Sequence, residues 1–143
     1  MSDGREIRAD CLVPGQAEGR VVLLDTPLSL WGGLDLETGT VADVNHPAHG
    51  ARIAGRVLVM PGGRGSSSSS SVLVESARLG RHPLAIVLTE RDPILAVGSL
   101  VAEALYGVSI PLVRIAPGQF SALSDGSRVR VTAAPGKCRV TVL

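Results

Sequence analysis

The sequence predicts an α/β domain in three layers, β/β/α, with strand-rich flanks. Three observations predict it. Residues 57–60, 84–88 and 111–115 are short, unbroken apolar runs, as expected of strands buried on both faces. Two segments with helical features, 67–79 and 92–107, separate them. The resulting β-α-β-α-β order calls for parallel strands joined by right-handed crossovers.

The elements follow in order. Residues 7–13 and 19–24 read as short strands, divided by the turn signal Pro14-Gly15. Residues 29–49 carry Trp31-Gly32-Gly33, Asp35, Thr38-Gly39 and Asn45-His46-Pro47 with little hydrophobic period. They read as an ordered, irregular loop, and long loops inside compact domains are often functional. Residues 57–60 form a buried strand. The helix over 67–79 ends near Gly80, and 84–88 is the next buried strand. Asp92 is placed to cap the second helix, and Pro93 suits its first turn. Ile94, Val97, Leu100, Val101, Ala104 and Leu105 recur there at helical spacing until Gly107. Residues 127–133 and 138–143 make a terminal hairpin across Pro135-Gly136.

Composition sets the outer limits. The chain has 143 residues, of which 45% are hydrophobic. That suits one domain, 1–143, with one sizeable core. Trp31, Tyr106 and Phe120 are its only Trp, Tyr and Phe residues, so Val, Leu, Ile and Ala must build that core. The formal net charge of +1 and the lack of a basic stripe with interleaved aromatics speak against a nucleic-acid partner. No apolar stretch approaches the ~20 residues of a membrane span. The charged residues 1–10 lack a signal-peptide core, and a cytoplasmic protein is expected. Cys11 and Cys138 lie far apart in sequence and make no metal motif. They read as small apolar residues rather than a disulfide.

The chemistry concentrates in Pro61-Gly62-Gly63-Arg64-Gly65, followed by six serines, 66–71. An apolar strand runs in and a helix runs out. Such a junction offers unpaired backbone N–H groups and the positive end of a helix dipole to an anion. A serine run is otherwise a flexible linker, but here it lies between two apolar segments of one domain. The pattern is neither GxxxxGK[ST] nor GxGxxG. Its glycines let backbone approach a ligand closely. Arg64 is a carboxylate clamp or a solvated loop arginine. Ser66 is a reacting group or a helix cap. A serine hydrolase would need a histidine base beside Ser66, and its flanks depart from GxSxG. Nothing in the sequence brings His46, His49 or His82 there, and a histidine before proline is more often structural.

Residues 92–111 resemble the helix of phosphohistidine swivelling domains, but Val97-Gly98-Ser99-Leu100 stands where those carry the histidine. A fuller resemblance covers the chain from about Gly15 onward. Pro27-Leu28-Ser29-Leu30-Trp31-Gly32-Gly33-Leu34-Asp35, then His46-Pro47 and Gly50, the segment 61–67, and Asp92-Pro93-Ile94-Leu95-Ala96-Val97-Gly98 are similar to the small subunit of aconitase X enzymes. That family includes the small subunits of phosphomevalonate dehydratase and cis-3-hydroxy-L-proline dehydratase. The resemblance implies the swivelling β/β/α domain of aconitase. It implies a large-subunit partner holding an iron or iron–sulfur centre, with no cofactor bound by this chain alone. It also implies a small-molecule carboxylate substrate. The serine directly after Gly-(Arg/Lys)-Gly, Ser66 here, is the family's proton acceptor. Arg64, Gly65 and Ser67 are then expected to line the substrate carboxylate or an adjacent anion, with the partner's iron as Lewis acid on the leaving hydroxyl. A helix N-terminus and Arg64 would lower the pKa of an otherwise poorly basic serine hydroxyl. The expected activity is a hydro-lyase subunit acting on cis-3-hydroxy-L-proline. Phosphomevalonate, or a non-catalytic anion-binding module, is the alternative. Ser68 to Ser71 match the family pattern only loosely and read as helix surface.

Overall fold

A computed structural model describes residues 4–64 and 66–143. Its centre is a seven-stranded closed barrel. The strands are β1 (Glu6–Val13), β2 (Gly15–Leu23), β5 (Val57–Val59), β6 (Ala85–Leu88), β7 (Leu112–Ile115), β8 (Arg128–Ala133) and β9 (Arg139–Val142). They follow one another around the barrel in the order β1-β7-β6-β5-β2-β8-β9. β2, β5, β6 and β7 are mutually parallel. β1 closes the barrel by pairing antiparallel with both β7 and β9.

The expected parallel unit is therefore present, and so is the terminal hairpin, whose register sets Val131 opposite Val140. β2 starts four residues earlier than expected. Gly15 to Arg20 pair with β8, and the polar alternation Gln16, Glu18, Arg20 faces solvent there. Pro14-Gly15 is not a hairpin turn, because β1 and β2 lie apart in the barrel.

Two helices cover the parallel strands: α2 (Ser69–Arg78) and α3 (Pro93–Tyr106). Between β2 and β5 runs a short turn, α1 (Leu30–Gly33), then a ribbon of β3 (Leu34–Asp35) and β4 (Thr40–Val41). Here the structure adds order to the irregular loop read from the sequence. Strands of two residues show no alternation, so only the folded chain reveals them. Asp35 Oδ1 accepts from the Glu37 and Thr38 N–H groups and turns the ribbon.

Alternate residues of the parallel strands feed two cores. Val57, Val59, Ala85, Val87, Val113 and Ile115 fill the barrel with Ile7, Val129, Val131 and Val140. Leu58, Met60, Ile86, Leu88 and Leu112 point outward against Leu73, Ala77, Leu95 and Ala102 of the helices. The layers are thus antiparallel sheet, parallel sheet and helices, the β/β/α order expected.

α3 is where its spacing puts it, with Asp92 Oδ1 accepting from the Leu95 N–H (3.0 Å) and Gly107 closing it in the left-handed region (φ 66°). Asp92→Ala is expected to cost about 1 kcal/mol of stability, read from urea unfolding. The stripe that announced the helix is not its packing face. Leu95, Gly98, Ser99 and Ala102 are buried, whereas Val97, Leu100, Val101, Ala104 and Leu105 are exposed. The physical reason is close approach. A Cβ on Gly98 would stand 2.9 Å from Ser70 O and 3.0 Å from Ser70 Cα, so the inner face must be small for α3 to lie on α2.

Cys11 and Cys138 are half-buried free thiols packed against the barrel interior. Burial, then the neighbouring Cys11 and Asp10, pushes the Cys138 thiol up to about 11 from 9.0. The fold thus favours the neutral thiol. That contribution is intact below pH 9 and is lost as pH rises through about 11. Iodoacetamide is expected to label Cys138 slowly in the native chain at pH 8, with a rate that climbs until about pH 11.

Candidate functional site

The glycine–serine segment follows β5 at the carboxyl edge of the parallel strands, the edge where open α/β sheets bind ligands. Two strands fix its start. The N–H groups of Thr89 and Glu90 both donate to Pro61 O at 3.1 Å, and the Thr89 hydroxyl donates there too. The loop after β6 therefore clamps the loop after β5. The space before Gly62 and Gly63 is taken by that loop's carboxylates. A Cβ would meet Glu90 Oε2 at 2.8 Å on Gly62 and Asp92 Oδ2 at 2.6 Å on Gly63. At these two positions the missing side chains admit neighbouring protein.

Ser66 ends the loop. Its N–H donates to Arg64 O (2.9 Å), and its carbonyl accepts from the Ser69 N–H (3.0 Å). Its Oγ accepts from the Ser68 N–H at 3.3 Å. The hydroxyl thus sits in a turn just before α2, which starts at Ser69 rather than Ser67. The serines do not supply a regular cap: Ser68, at the N-cap position, makes no side-chain cap bond. Ser66 remains half-buried, and Ser67 is exposed. Arg64 is exposed, and among the described residues its guanidinium has no hydrogen bond or ion pair. Gly65, the remaining expected site residue, lies outside the described residues.

Ser69 is the residue that sequence reasoning left as filler. It is buried, and its Oγ lies 3.4 Å from both Ser29 Oγ and the Trp31 N–H. It ties the first turn of α2 to α1 across 40 positions of sequence, a separation that leaves no local signal. Trp31 is thereby held beside the serine turn with its side chain exposed. His46 works as structure. Nδ1 accepts from the Ala48 N–H (2.9 Å), which leaves Nε2–H to donate to Thr26 O (2.9 Å). Both ring nitrogens are thus used by the backbone of the loop. No group of three or more His, Cys, Asp or Glu side chains among the described residues could hold a metal ion.

The fold and site define a class: a β/β/α barrel domain with a glycine–serine loop at the carboxyl edge of its parallel strands, where the Ser66 hydroxyl is held in a turn and Arg64 has no side-chain partner among the described residues. The chain belongs to the aconitase X swivel domain family, whose model matches residues 6–140. It is 50% identical over 101 residues to cis-3-hydroxy-L-proline dehydratase of Pseudomonas aeruginosa, covering 71% of this chain and 17% of that protein. It is 38% identical over 136 residues to the phosphomevalonate dehydratase small subunit of Methanothermobacter thermautotrophicus, covering 93% of this chain and 99% of the relative. The chain thus spans about a sixth of the first relative and nearly all of the second. The crystal structure of Thermococcus kodakaraensis aconitase X (holo-form) superposes with a TM-score of 0.85 at 35% identity, covering 98% of this chain and 99% of that one. No helix among the described residues is long and apolar enough to cross a membrane.

Proposed function

We propose that this chain, 1–143, acts as one swivelling domain, the small subunit of an aconitase X-type hydro-lyase. It works with a large subunit in the cytoplasm and supplies the general base, Ser66. The observation that carries this reading is the Ser66 hydroxyl, held by the Ser68 N–H at the carboxyl edge two residues after an exposed arginine, Arg64, that has no side-chain partner among the described residues. Dehydration of a hydroxy acid removes a proton from the carbon next to a carboxylate, and hydroxide leaves from the neighbouring carbon. Ser66 Oγ takes that proton. Backbone N–H donation and the Arg64 charge favour the alkoxide that must receive it. Arg64 and Ser67, with Gly65 on sequence grounds, line the substrate carboxylate, where a guanidinium can bind bidentately.

Among the described residues no three His, Cys, Asp or Glu side chains come together as a metal-ligand set. In this reading the iron or iron–sulfur centre is the large subunit's.

For the substrate we favour cis-3-hydroxy-L-proline, on the 50% identity to a dehydratase of that compound. A specific observation favours mevalonate 5-phosphate as well: relatives of matching length include phosphomevalonate dehydratase small subunits. The assembled complex is expected to consume cis-3-hydroxy-L-proline and to leave mevalonate 5-phosphate untouched, with product followed by mass spectrometry. The reverse preference would replace the substrate and keep the mechanism. A chain that binds carboxylates but turns over neither compound in any complex would be an anion-binding module.

A further inference from the structure

α3 has more apolar surface facing outward than the fold uses. Val97, Leu100 and Leu105 are 54%, 53% and 63% exposed, and Val101, on the same side at i+4 from Val97 and i−4 from Leu105, is exposed too. Glu103 is the helix's single charged residue. A helix apolar on all sides is ordinarily buried on all sides, and a contiguous exposed apolar patch marks an interaction surface. The inner face of α3 is already spent on α2 and the sheet.

We infer that the outer face of α3 is a docking surface for the large subunit, continuous with the mouth of the Ser66 site. This rests on the functional reading above. Three observations choose the occupant. The first is position. α3 is capped by Asp92, whose carboxylate faces Gly63, and it lies on α2, whose first turn follows Ser66. A body that carries substrate to Ser66 is already within one helix length of the stripe. A groove of about 230 Å³ between α2 and α3, lined by Ser70, Val74, Val97 and Val101 among others, borders the stripe. The second is Trp31, 60% exposed, with its N–H on Ser69 Oγ in the first turn of α2. An exposed tryptophan is a favoured anchor at the centre of an interface. The third is size. A 14-residue helix is about 21 Å long and about 10 Å wide, so one face offers roughly 200 Å². A stable interface needs about 800 Å² on each partner. α3 alone is too small to hold any stable partner. As one border of a surface that includes Trp31 and the Ser66 turn, it fits a larger partner. The same domain makes up 17% and 20% of the matched hydroxyproline dehydratases, so those relatives also keep it in one protein with a much larger remainder.

The test uses the tagged chain and the aconitase X-type large subunit recovered with it and identified by mass. Hydrogen exchange is compared in the free chain and in the complex, and affinity is measured for wild type, Leu100→Asp/Leu105→Asp and Arg128→Ala. The double variant replaces exposed side chains, so its circular dichroism and Tm should match wild type. The expected result is slowed exchange across α3 on assembly and at least tenfold weaker binding by the double variant. Arg128→Ala, on the opposite sheet, should bind normally. Unchanged exchange in α3 with unchanged affinity would overturn the inference and leave the proposed function standing. Concentration-dependent dimerisation abolished by the double variant, with large-subunit affinity intact, would overturn it in favour of self-association. Recovery of no such large subunit would overturn this inference and the functional reading together.

Discussion

Ser66→Ala in the assembled complex is expected to lower turnover by about 10²–10⁴-fold, the usual contribution of a positioned general base. Assembly should not change. Among the described residues the Ser66 hydroxyl makes one hydrogen bond, a 3.3 Å bond from the Ser68 N–H, and losing such a cap-like bond costs about 1 kcal/mol at most sites. The variant chain should therefore fold, bind its partner at wild-type affinity and retain substrate binding through Arg64. The informative pattern is a collapse of kcat with KM little changed, because proton transfer belongs to the transition state and not to the ground-state complex. If the hydroxyl served only to hold the turn, the variant would lose a little thermal stability and keep its turnover. Steady-state kinetics on the complex, with thermal unfolding of the free chain alongside, separate these outcomes.

Gly98→Ala is expected to be the most disruptive single-methyl change in the helical layer. The new Cβ would sit 2.9 Å from Ser70 O, 3.0 Å from Ser70 Cα and 3.3 Å from Leu73 Cβ. Two of those atoms are backbone, so no side-chain rotation relieves the clash and the helices must separate. Overpacking of this kind costs about 1–3 kcal/mol, measurable as a lower urea midpoint at constant slope. The consequence reaches the site. Ser70 is in the first turn of α2, next to Ser69, which is bonded to α1. Pushing α2 outward shifts the serine turn relative to Trp31 and the clamped Pro61 carbonyl. Turnover in the complex should fall together with stability. Ala104→Ser, on the exposed face of the same helix, should leave stability within about 0.5 kcal/mol of wild type.

The contrast between these two positions shows what the sequence reveals and why. The turn that holds Ser66 before α2 is legible because strand, glycine loop and serine stand consecutively, so local order carries the signal. The parallel unit is legible for a similar reason: its strands are unbroken apolar runs and its second helix has a proline, a cap and a terminal glycine. Gly98 is not legible. Periodicity in α3 points to Val97, Leu100, Val101 and Leu105, which face out, because close helix packing selects small residues that a hydrophobic pattern passes over. Ser69 and Thr89 are hidden for another reason. Each is a common residue whose role depends on a partner 28 to 40 positions away. The ribbon β3–β4 was unreadable because two residues per strand leave no alternation to detect. Gly62 and Gly63 mark the loop correctly, yet the space they leave admits Glu90 and Asp92, a fact that only the tertiary arrangement contains.

The central claim is that this chain carries the base and a larger partner carries the iron. The measurement that tests it most directly is native mass spectrometry, with metal analysis, of the complex isolated from source on the tagged chain. The account predicts a stoichiometric assembly with a cysteine-containing, iron-loaded large subunit of the aconitase X type. An isolated, iron-free chain would contradict it, and Ser66 would then be a residue that holds the turn before α2.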